Sequence, residues 1–276
     1  MNMAEPLKVA QSFLDNALGD INSNDNLRKH PERPYVTLTY AQSLDSKIAG
    51  KGGVALPLSG DESWLMTHWM RTMHDGIMVG INTVINDNPG LAPSKLPPRN
   101  DPYSAPTPII LDTYLRISTS SKVISKFQSG EGKRPCIVCR DGADPAKKAV
   151  LEALDVTIYS VGVDQRTGTH PCFREYGPLS RVSPHTIGRL DIKQVLAKLA
   201  ENGVRSLMVE GGSAVISQFL SAKGIVDSVI ITVSPMWVGN GGIPAMNDEQ
   251  EPPKLEHIKS EVMGKDTVVA CRLVQS

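Results

Sequence analysis

Apolar residues recur along this chain in two patterns, as short continuous runs and as longer runs with helical spacing. Ser206–Val209 is a short apolar run without glycine or proline, which is typical of a buried strand. The run stops at Glu210, and after two glycines apolar residues return at spacings of one, three and four residues. This spacing predicts a helix that begins near Ser213. The segment 202–222 is therefore predicted to form a strand, a glycine turn and a helix.

The same two patterns predict most of the remaining elements. An N-terminal helix is expected from the apolar positions Val9, Phe13, Leu14 and Leu18. Three more helices are expected at 61–73, 145–154 and 192–200, each with an aspartate as its cap: Asp61, Asp144 and Asp191. Further strands are expected at Pro34–Asp45, Ile77–Gly80, Ile109–Leu111, Cys136–Cys139, Val156–Val161, Ser228–Ser234 and Thr267–Val274. No helix is predicted for the polar segment 82–88, and the aperiodic segment 164–186 is expected to be an inserted loop.

The order of these elements indicates the architecture. Strands alternate with helices through the middle of the chain, and strand-rich segments close it. This order predicts an α/β fold with a mainly parallel central sheet flanked by helices and an antiparallel C-terminal edge. No internal repeat or clean boundary divides the chain. We therefore expect an N-terminal helix and linker over residues 1–33 and a single domain over residues 34–276.

The composition excludes several classes of function. Of the 276 residues, 40% are hydrophobic and 21% are charged, as in ordinary globular proteins. Because 29 basic residues balance 29 acidic ones, no net field attracts nucleic acid or an anionic membrane. No apolar run approaches the roughly 18 residues that span a bilayer, and the N-terminus does not resemble a secretory signal. A cytoplasmic protein is the resulting expectation.

The cysteines and histidines do not form a recognisable metal site. Cys136 and Cys139 have C-x-x-C spacing, but they lie in a predicted strand, where residues three apart face opposite sides. They are therefore predicted to be reduced core thiols, and no metal is expected. The nucleophile elbow of hydrolases is absent. The Rossmann and Walker fingerprints are absent too, although a dinucleotide can bind without them.

Three polar clusters lie where parallel strands are predicted to end, which is where ligands bind in open α/β sheets. They are Ser43–Lys47, Gly80–Pro89 and Glu210–Ser213. In the third cluster, glycines followed by a helix N-terminus leave N–H groups that can hold a phosphate. Each cluster also has a simpler interpretation, as a surface ion pair, a set of turn-forming residues or a turn without a ligand.

Five segments together resemble, in the same order, the reductases of riboflavin biosynthesis: PYVTLTYAQSLDSKIAG, DGIMVGINTVINDNPGL, PIILDTYLRIS, SLMVEGGSAVISQFL and VDSVIITVSPMWVGNGG. The resemblance runs from about Pro34 to the C-terminus. It implies a dihydrofolate-reductase-like fold, a homodimer, and an enzyme that uses NADPH to reduce the ribosyl group of a phosphoribosylamino-pyrimidine to a ribityl group. With no deaminase segment ahead of residue 34, the chain is similar to the stand-alone fungal and archaeal form, which acts before deamination.

The resemblance also implies roles for individual residues. Thr83 and Asp87 match the family's cofactor contacts, and the residues that match its pyrophosphate cradle are Gly211, Gly212, Ser213 and Ala214. Asp45 and Lys47 lie in the substrate-side motif, although Ser46 replaces the glycine usual in S-L-D-G, and Glu210 is expected to face the same cleft. The basic residue that follows the D-x-P-x-L motif, and so the substrate phosphate site, has two candidates, Lys95 and Arg99.

Catalysis and cofactor choice depend on three further assignments. Hydride addition to the ring-opened imine of the substrate requires a proton, for which Lys47 is a candidate donor and Asp45 its orienter, with water as the alternative. Arg140 follows the strand that is expected to lie nearest the adenosine. It is predicted either to pair with the 2′-phosphate of NADPH or to be a solvated arginine beside Asp141.

Two other functions are also compatible with the sequence. The first is a dihydrofolate reductase acting on a pterin, which requires a buried acid on the first long helix. Glu62 is the close candidate, and helix capping explains it equally well. The second is a relative that binds NADPH without catalysis.

Overall fold

The computed structural model describes residues 4–164, 188–246 and 253–274. The helices are α1 Ala4–Leu18, α2 Asn24–Lys29, α3 Asp61–Met73, α4 Ile81–Asp87, α5 Lys122–Gln128, α6 Pro145–Glu152, α7 Ile192–Glu201 and α8 Ser213–Ser221. The strands are β1 Tyr35–Ser43, β2 Lys47–Ala49, β3 Gly76–Gly80, β4 Thr107–Leu111, β5 Cys136–Arg140, β6 Thr157–Val161, β7 Val163–Asp164, β8 Arg189–Leu190, β9 Ser206–Val209, β10 Ser228–Ser234, β11 Ile243–Pro244, β12 Leu255–Met263 and β13 Asp266–Leu273.

A nine-stranded sheet forms the centre of the molecule, in the order β12-β13-β10-β1-β9-β3-β4-β5-β6. Every neighbouring pair from β10 to β6 is parallel, whereas β13 pairs antiparallel with β10 and with β12. The predicted architecture, a mainly parallel sheet with antiparallel C-terminal strands, is therefore confirmed. Because the parallel strands all point the same way, the loops that leave them meet along one edge of the sheet.

Helices cover both faces of this sheet. On one face, α7 and α8 pack on inward-facing residues of β1, β4 and β9. On the other face, α4, α5 and α6 cover one half of the sheet and α1 and α3 cover the other half. The strands in the middle are apolar on both faces because both faces are buried, which explains the continuous apolar runs in the sequence.

The N-terminal helix is confirmed and belongs to the core. Phe13 and Leu14 of α1 are fully buried, in one cluster with Met66 and Met70 of α3. The division of the chain at residue 33 stays a prediction, since the hydrophobic cluster continues from α1 into the elements that follow it.

Several element predictions agree closely with the structure, and a few differ. Asp144 and Asp191 accept backbone N–H groups at the starts of α6 and α7, as predicted. Asp61 does not cap α3, because Gly60 occupies the N-cap and Asp61 is the first helical residue. The segment 82–88, for which no helix was predicted, lies almost entirely within α4, and the edge strand β12 was not predicted at all. The predicted inserted loop lies almost wholly outside the described residues.

The cysteines of β5 and the lengths of the helices were also considered in the predictions. Cys136 and Cys139 are buried free thiols, as predicted, and burial raises the pKa of Cys136 to about 12. None of the helices in the described part of the chain is both long enough and apolar enough to cross a membrane.

Candidate functional site

The predicted clusters lie at the same edge of the sheet. Asp45 follows β1, Thr83 lies in the helix that follows β3, and Glu210 follows β9. The strand β9 lies between β1 and β3, so the glycine turn lies at the centre of this edge. The tertiary structure thus brings together three segments that are far apart in the sequence.

The turn between β9 and α8 leaves backbone donors free. Within the described residues, the N–H groups of residues 211–214 bond to no acceptor, whereas the N–H groups of Val215 and Ile216 bond to the carbonyl of Gly212. Unpaired donors at a helix start carry partial positive charge, which suits a phosphate or diphosphate. Gly211, Gly212, Ser213 and Ala214 therefore have the local geometry expected of the pyrophosphate cradle.

The two glycines of this turn differ in their surroundings. A Cβ on Gly211 would lie 2.6 Å from Cγ1 of Val215, inside α8. A Cβ on Gly212 would meet only Oγ1 of Thr83, at 3.5 Å. Gly211 therefore allows α8 to pack closely on the strand end, while Gly212 leaves open space beside Thr83. The predicted cofactor contacts Thr83 and Gly212 are neighbours in the structure. Asp87 ends α4, and partial burial raises its pKa.

Asp45 anchors a loop. Its carboxylate accepts the Ser43 hydroxyl at 2.6 Å and the N–H groups of Val238 and Gly239 at 3.0 and 2.6 Å. The Ser43 hydrogen bond, helped by the two backbone donors, lowers the pKa of Asp45 to about 2. Both carboxylate oxygens are therefore used to hold the glycine-rich loop 238–242 against the end of β1.

Lys47 lies beside the same loop but makes no ion pair with Asp45. It belongs to β2, which pairs with β11, and its backbone N–H bonds to the Ser43 hydroxyl at 3.0 Å. A side chain on Gly242 would lie 2.8 Å from Cγ of Lys47, so the aliphatic part of Lys47 packs over that glycine. The prediction that Asp45 orients the ammonium of Lys47 is not supported, because the carboxylate is engaged elsewhere.

Glu210 forms a nearly buried pair with Arg71, a residue of α3 that was not predicted to belong to the site. Nε and Nη2 of Arg71 donate to the two carboxylate oxygens of Glu210 at 2.8 and 2.6 Å. The remaining nitrogen, Nη1, donates to the carbonyl of Ala92 at 3.1 Å. The side chains are only 7% and 18% exposed. Such a two-pronged contact fixes the direction of the carboxylate, so Glu210 presents a defined acceptor at the centre of the sheet edge.

A cavity of about 430 Å³ lies next to this pair, between α3, the loop after α4, and α5. Its charged and aromatic walls are formed by Trp64, His68, Arg71, Lys95, Lys122 and Lys126. Burial, assisted by Arg71 and Lys95, lowers the pKa of His68 to about 3, so this imidazole is neutral at physiological pH. The cavity combines an aromatic wall with a strongly basic one.

The structure distinguishes between the two candidates for the substrate phosphate. Lys95 lines the cavity, and its backbone N–H donates to Nδ1 of His68 at 3.4 Å. Arg99 instead donates to the carbonyls of Asp101 and Pro102 and lies over the ring of Tyr103 at 4.0 Å. Arg99 therefore stabilises its own loop, and Lys95 is the better placed of the two.

Arg140 ends β5 at the same edge of the sheet. Its guanidinium lies 5.5 Å from the ring centre of Tyr114, and among the described contacts it has no ion pair with Asp141. Arg116, in the loop that carries Tyr114, donates to Asn82 at 2.6 Å. Both interpretations of Arg140, a partner of the 2′-phosphate and a solvated arginine beside Asp141, therefore stay predictions.

Glu62, on which the pterin alternative depends, lies at the start of α3. Its carboxylate packs against Gly264 in the β12–β13 turn. It is part of the contact between α3 and that hairpin.

The cavity residues of α3 that were not predicted as site residues share one feature. Trp64, His68 and Arg71 are spaced by four and three residues, which places them on one face of α3. Polar or amphipathic residues repeated at that spacing along the helix were the available indication. The lysines of α5 had no such indication, because only the fold places that helix beside the cavity.

Comparison with known proteins identifies related chains. The sequence profile of the RibD C-terminal domain matches residues 34–269. A Candida glabrata protein named 2,5-diamino-6-ribosylamino-4(3H)-pyrimidinone 5′-phosphate reductase is 35% identical over 271 residues, covering 96% of each chain. A Debaryomyces hansenii protein of the same name is 38% identical over 212 residues, covering 76% of this chain and 78% of the relative. The solved Saccharomyces cerevisiae riboflavin biosynthesis reductase Rib7 superposes with a TM-score of 0.69 at 30% identity, covering 95% of this chain and 98% of that one.

Proposed function

Because the chain belongs to the family of the RibD C-terminal domain, we propose that it reduces 2,5-diamino-6-ribosylamino-4(3H)-pyrimidinone 5′-phosphate in riboflavin biosynthesis. The reaction converts the ribosyl group of the substrate to a ribityl group. The similarity to a protein of that name over 96% of both chains carries this proposal. The cavity beside Glu210 supports it, since a lining of basic and aromatic residues suits a phosphorylated sugar joined to a heterocycle.

We propose NADPH as the cofactor, which supplies a hydride when bound. The fit of NADPH to the glycine turn is supported by the unpaired N–H groups of residues 211–214 and by the open space between Gly212 and Thr83. Thr83 and Asp87 are proposed to contact the cofactor from α4, and Gly211–Ala214 its diphosphate. Arg140 is proposed to pair with the 2′-phosphate, because a guanidinium can donate two parallel hydrogen bonds to it.

The substrate is proposed to lie between this cradle and the cavity. Glu210, held by Arg71, is placed to accept a hydrogen bond from the substrate, and Lys95 to contact the phosphate. Lys47 is retained as the proposed donor of the proton that completes reduction, because its ammonium has no partner among the described residues. Asp45 contributes by holding the loop against which Lys47 packs.

An assay of NADPH oxidation, followed by the nicotinamide absorbance, tests this function. We expect turnover that requires the diamino-pyrimidinone ribosyl phosphate, is faster with NADPH than with NADH, and does not occur with dihydrofolate. Mass analysis should show a product two hydrogens heavier than the substrate. NADPH binding without turnover would contradict the proposal in favour of a non-catalytic relative, and turnover of dihydrofolate would favour the pterin alternative.

A further inference from the structure

The basic wall of the cavity contains two lysines that lie outside every motif of the sequence. Lys122 and Lys126 are four residues apart on α5, so they lie on the same face of that helix. Both line the cavity, as does Lys95 from the loop after α4. The three ammonium groups come from two separate segments, so the fold and not the local sequence gathers them.

These ammonium groups have no neutralising partner in the part of the chain that the structure describes. Within the described residues, Nζ of Lys95, Lys122 and Lys126 makes no hydrogen bond or ion pair, and no carboxylate lines the cavity. The carboxylate next to it, Glu210, is engaged by Arg71. Three positive charges that line one cavity without a counter-charge repel one another, and a bound anion reduces that repulsion.

Other contacts hold α5 in this position. The side-chain oxygen of Asn88 accepts the backbone N–H of Lys122 at 2.7 Å, which ties the start of α5 to the end of α4. A Cβ on Gly90 would lie 3.5 Å from Cδ and Cε of Lys126, so this glycine lets the lysine stem lie across the loop. The D-N-P-G turn therefore positions both lysines against the cavity.

We propose that Lys122 and Lys126, together with Lys95, bind the 5′-phosphate of the substrate. This assignment rests on the proposed function. A phosphate monoester carries a charge of about −1.5 to −2 near neutral pH and presents three acceptor oxygens, which suits the three ammonium donors that line this cavity. The aromatic wall formed by Trp64 and His68 then faces the uncharged part of the same molecule.

The first test is steady-state kinetics of the double variant Lys122→Ala/Lys126→Ala. Loss of two charged contacts should raise KM for the substrate roughly 10- to 100-fold, while kcat and the Kd for NADPH change little. Arginine at both positions should restore most of the affinity. Lys223→Ala, at an exposed lysine remote from this cavity, is the matched control and should leave KM unchanged. An unchanged KM in the double variant, or a loss confined to NADPH affinity, would overturn the assignment.

The second test removes the phosphate from the substrate. With the dephosphorylated pyrimidine riboside, the KM of the wild type should rise to about that of the double variant. The KM of the double variant should not rise further. If removal of the phosphate raised the KM of the double variant as much as that of the wild type, the lysines would act elsewhere than at the phosphate.

Binding of ribose 5-phosphate, measured by calorimetry, separates this assignment from the proposed reaction. The wild type should bind it and the double variant should not, whether or not the pyrimidine is turned over. Equal binding by both proteins would overturn the lysine assignment and leave the proposed reaction standing.

Discussion

Gly211 and Gly212 are adjacent in the sequence but meet different surroundings. Space beside Gly211 is filled by Val215, and the same valine also fills the space beside Gly80, where a Cβ would lie 2.9 Å from its Cγ2. Two glycines therefore let the first turn of α8 approach both β9 and β3. Gly212 faces the open side of the turn. Gly211 therefore serves packing, whereas Gly212, next to it in the sequence, leaves space for a ligand.

This difference predicts contrasting effects of substitution. Gly212→Asp should fold normally but raise the Kd for NADPH at least tenfold, because a carboxylate would face the diphosphate. Gly211→Ala should instead lower the free energy of unfolding by about 1–3 kcal/mol through overpacking against Val215. Cofactor titration and chemical denaturation measure the two effects. Gly212→Ala, which adds a Cβ without charge, is the control and should keep most of the affinity.

An unchanged Kd in a folded Gly212→Asp protein would show that the diphosphate does not lie at this turn. An equally stable Gly211→Ala protein would show that Val215 can move away.

At the scale of elements, Asp45 joins two loops that leave neighbouring parallel strands. Its carboxylate connects the exit of β1 to the loop after β10, while β2 and β11 pair alongside. Trp237, which directly precedes the bonded amides, is 74% exposed. The loop is thus held by hydrogen bonds at its base, with little apolar burial to replace them.

The lowered pKa of Asp45 predicts a pH dependence. Because the folded-state pKa of about 2 lies below the unfolded value, this group stabilises the fold above the unfolded pKa and ceases to do so as pH falls through the folded pKa. Asp45→Asn, which places an amide donor opposite backbone donors, should be less stable than the wild type near pH 7. The difference should shrink as the pH falls below about 4. Urea denaturation at several pH values measures it.

A stability difference between the two proteins that stays constant from neutral to acidic pH would contradict the role assigned to the carboxylate. Ser43→Ala provides a comparison, since it removes one hydrogen bond to Asp45 and leaves the charge in place.

At the scale of the whole molecule, the sheet formed by the described residues ends in two edge strands, and one of them is β12. The two C-terminal strands predicted at Ser228–Ser234 and Thr267–Val274 are long enough to pair across subunits, but neither is free to do so in the folded chain. The first strand lies between β1 and β13, and the second, observed as Asp266–Leu273, lies between β10 and β12. Their hydrogen-bonding edges are used within the chain. The homodimer itself stays a prediction from the resemblance to the family.

If copies of the chain associate, the edge strand β12 is the strand available at the C-terminal side. It exposes Leu255 and Val262, which are 41% and 67% exposed, and unpaired strand edges favour pairing with another chain. We expect sedimentation to give a dimer at micromolar concentration, and Val262→Lys to shift it towards the monomer. A wild-type monomer would contradict the dimer, and an unshifted dimer in the variant would place the interface elsewhere. Val54→Lys, at another exposed apolar residue, is the control.

Elements that depend on a local pattern follow from the amino-acid sequence alone. Ser206–Val209 and Ser228–Ser234 were predicted with the observed bounds, the first as a short apolar run and the second because it is rich in β-branched residues. Asp144 and Asp191 were found as caps because capping is a contact between near neighbours. The segment of α4 was not assigned as a helix, since its seven residues are dominated by types that also favour turns.

Contacts between residues that are far apart in the sequence are determined by the tertiary fold. Arg71 was paired with Glu210 across 139 residues of sequence, and Lys122 was placed in a cavity with Lys95. Asp45 and Lys47, two residues apart, do not interact, because the amides of a loop 193 residues further along occupy the carboxylate. Periodicity and capping act over a few residues, whereas charge pairing depends on distance in space. That distance is set by the order of the strands in the sheet.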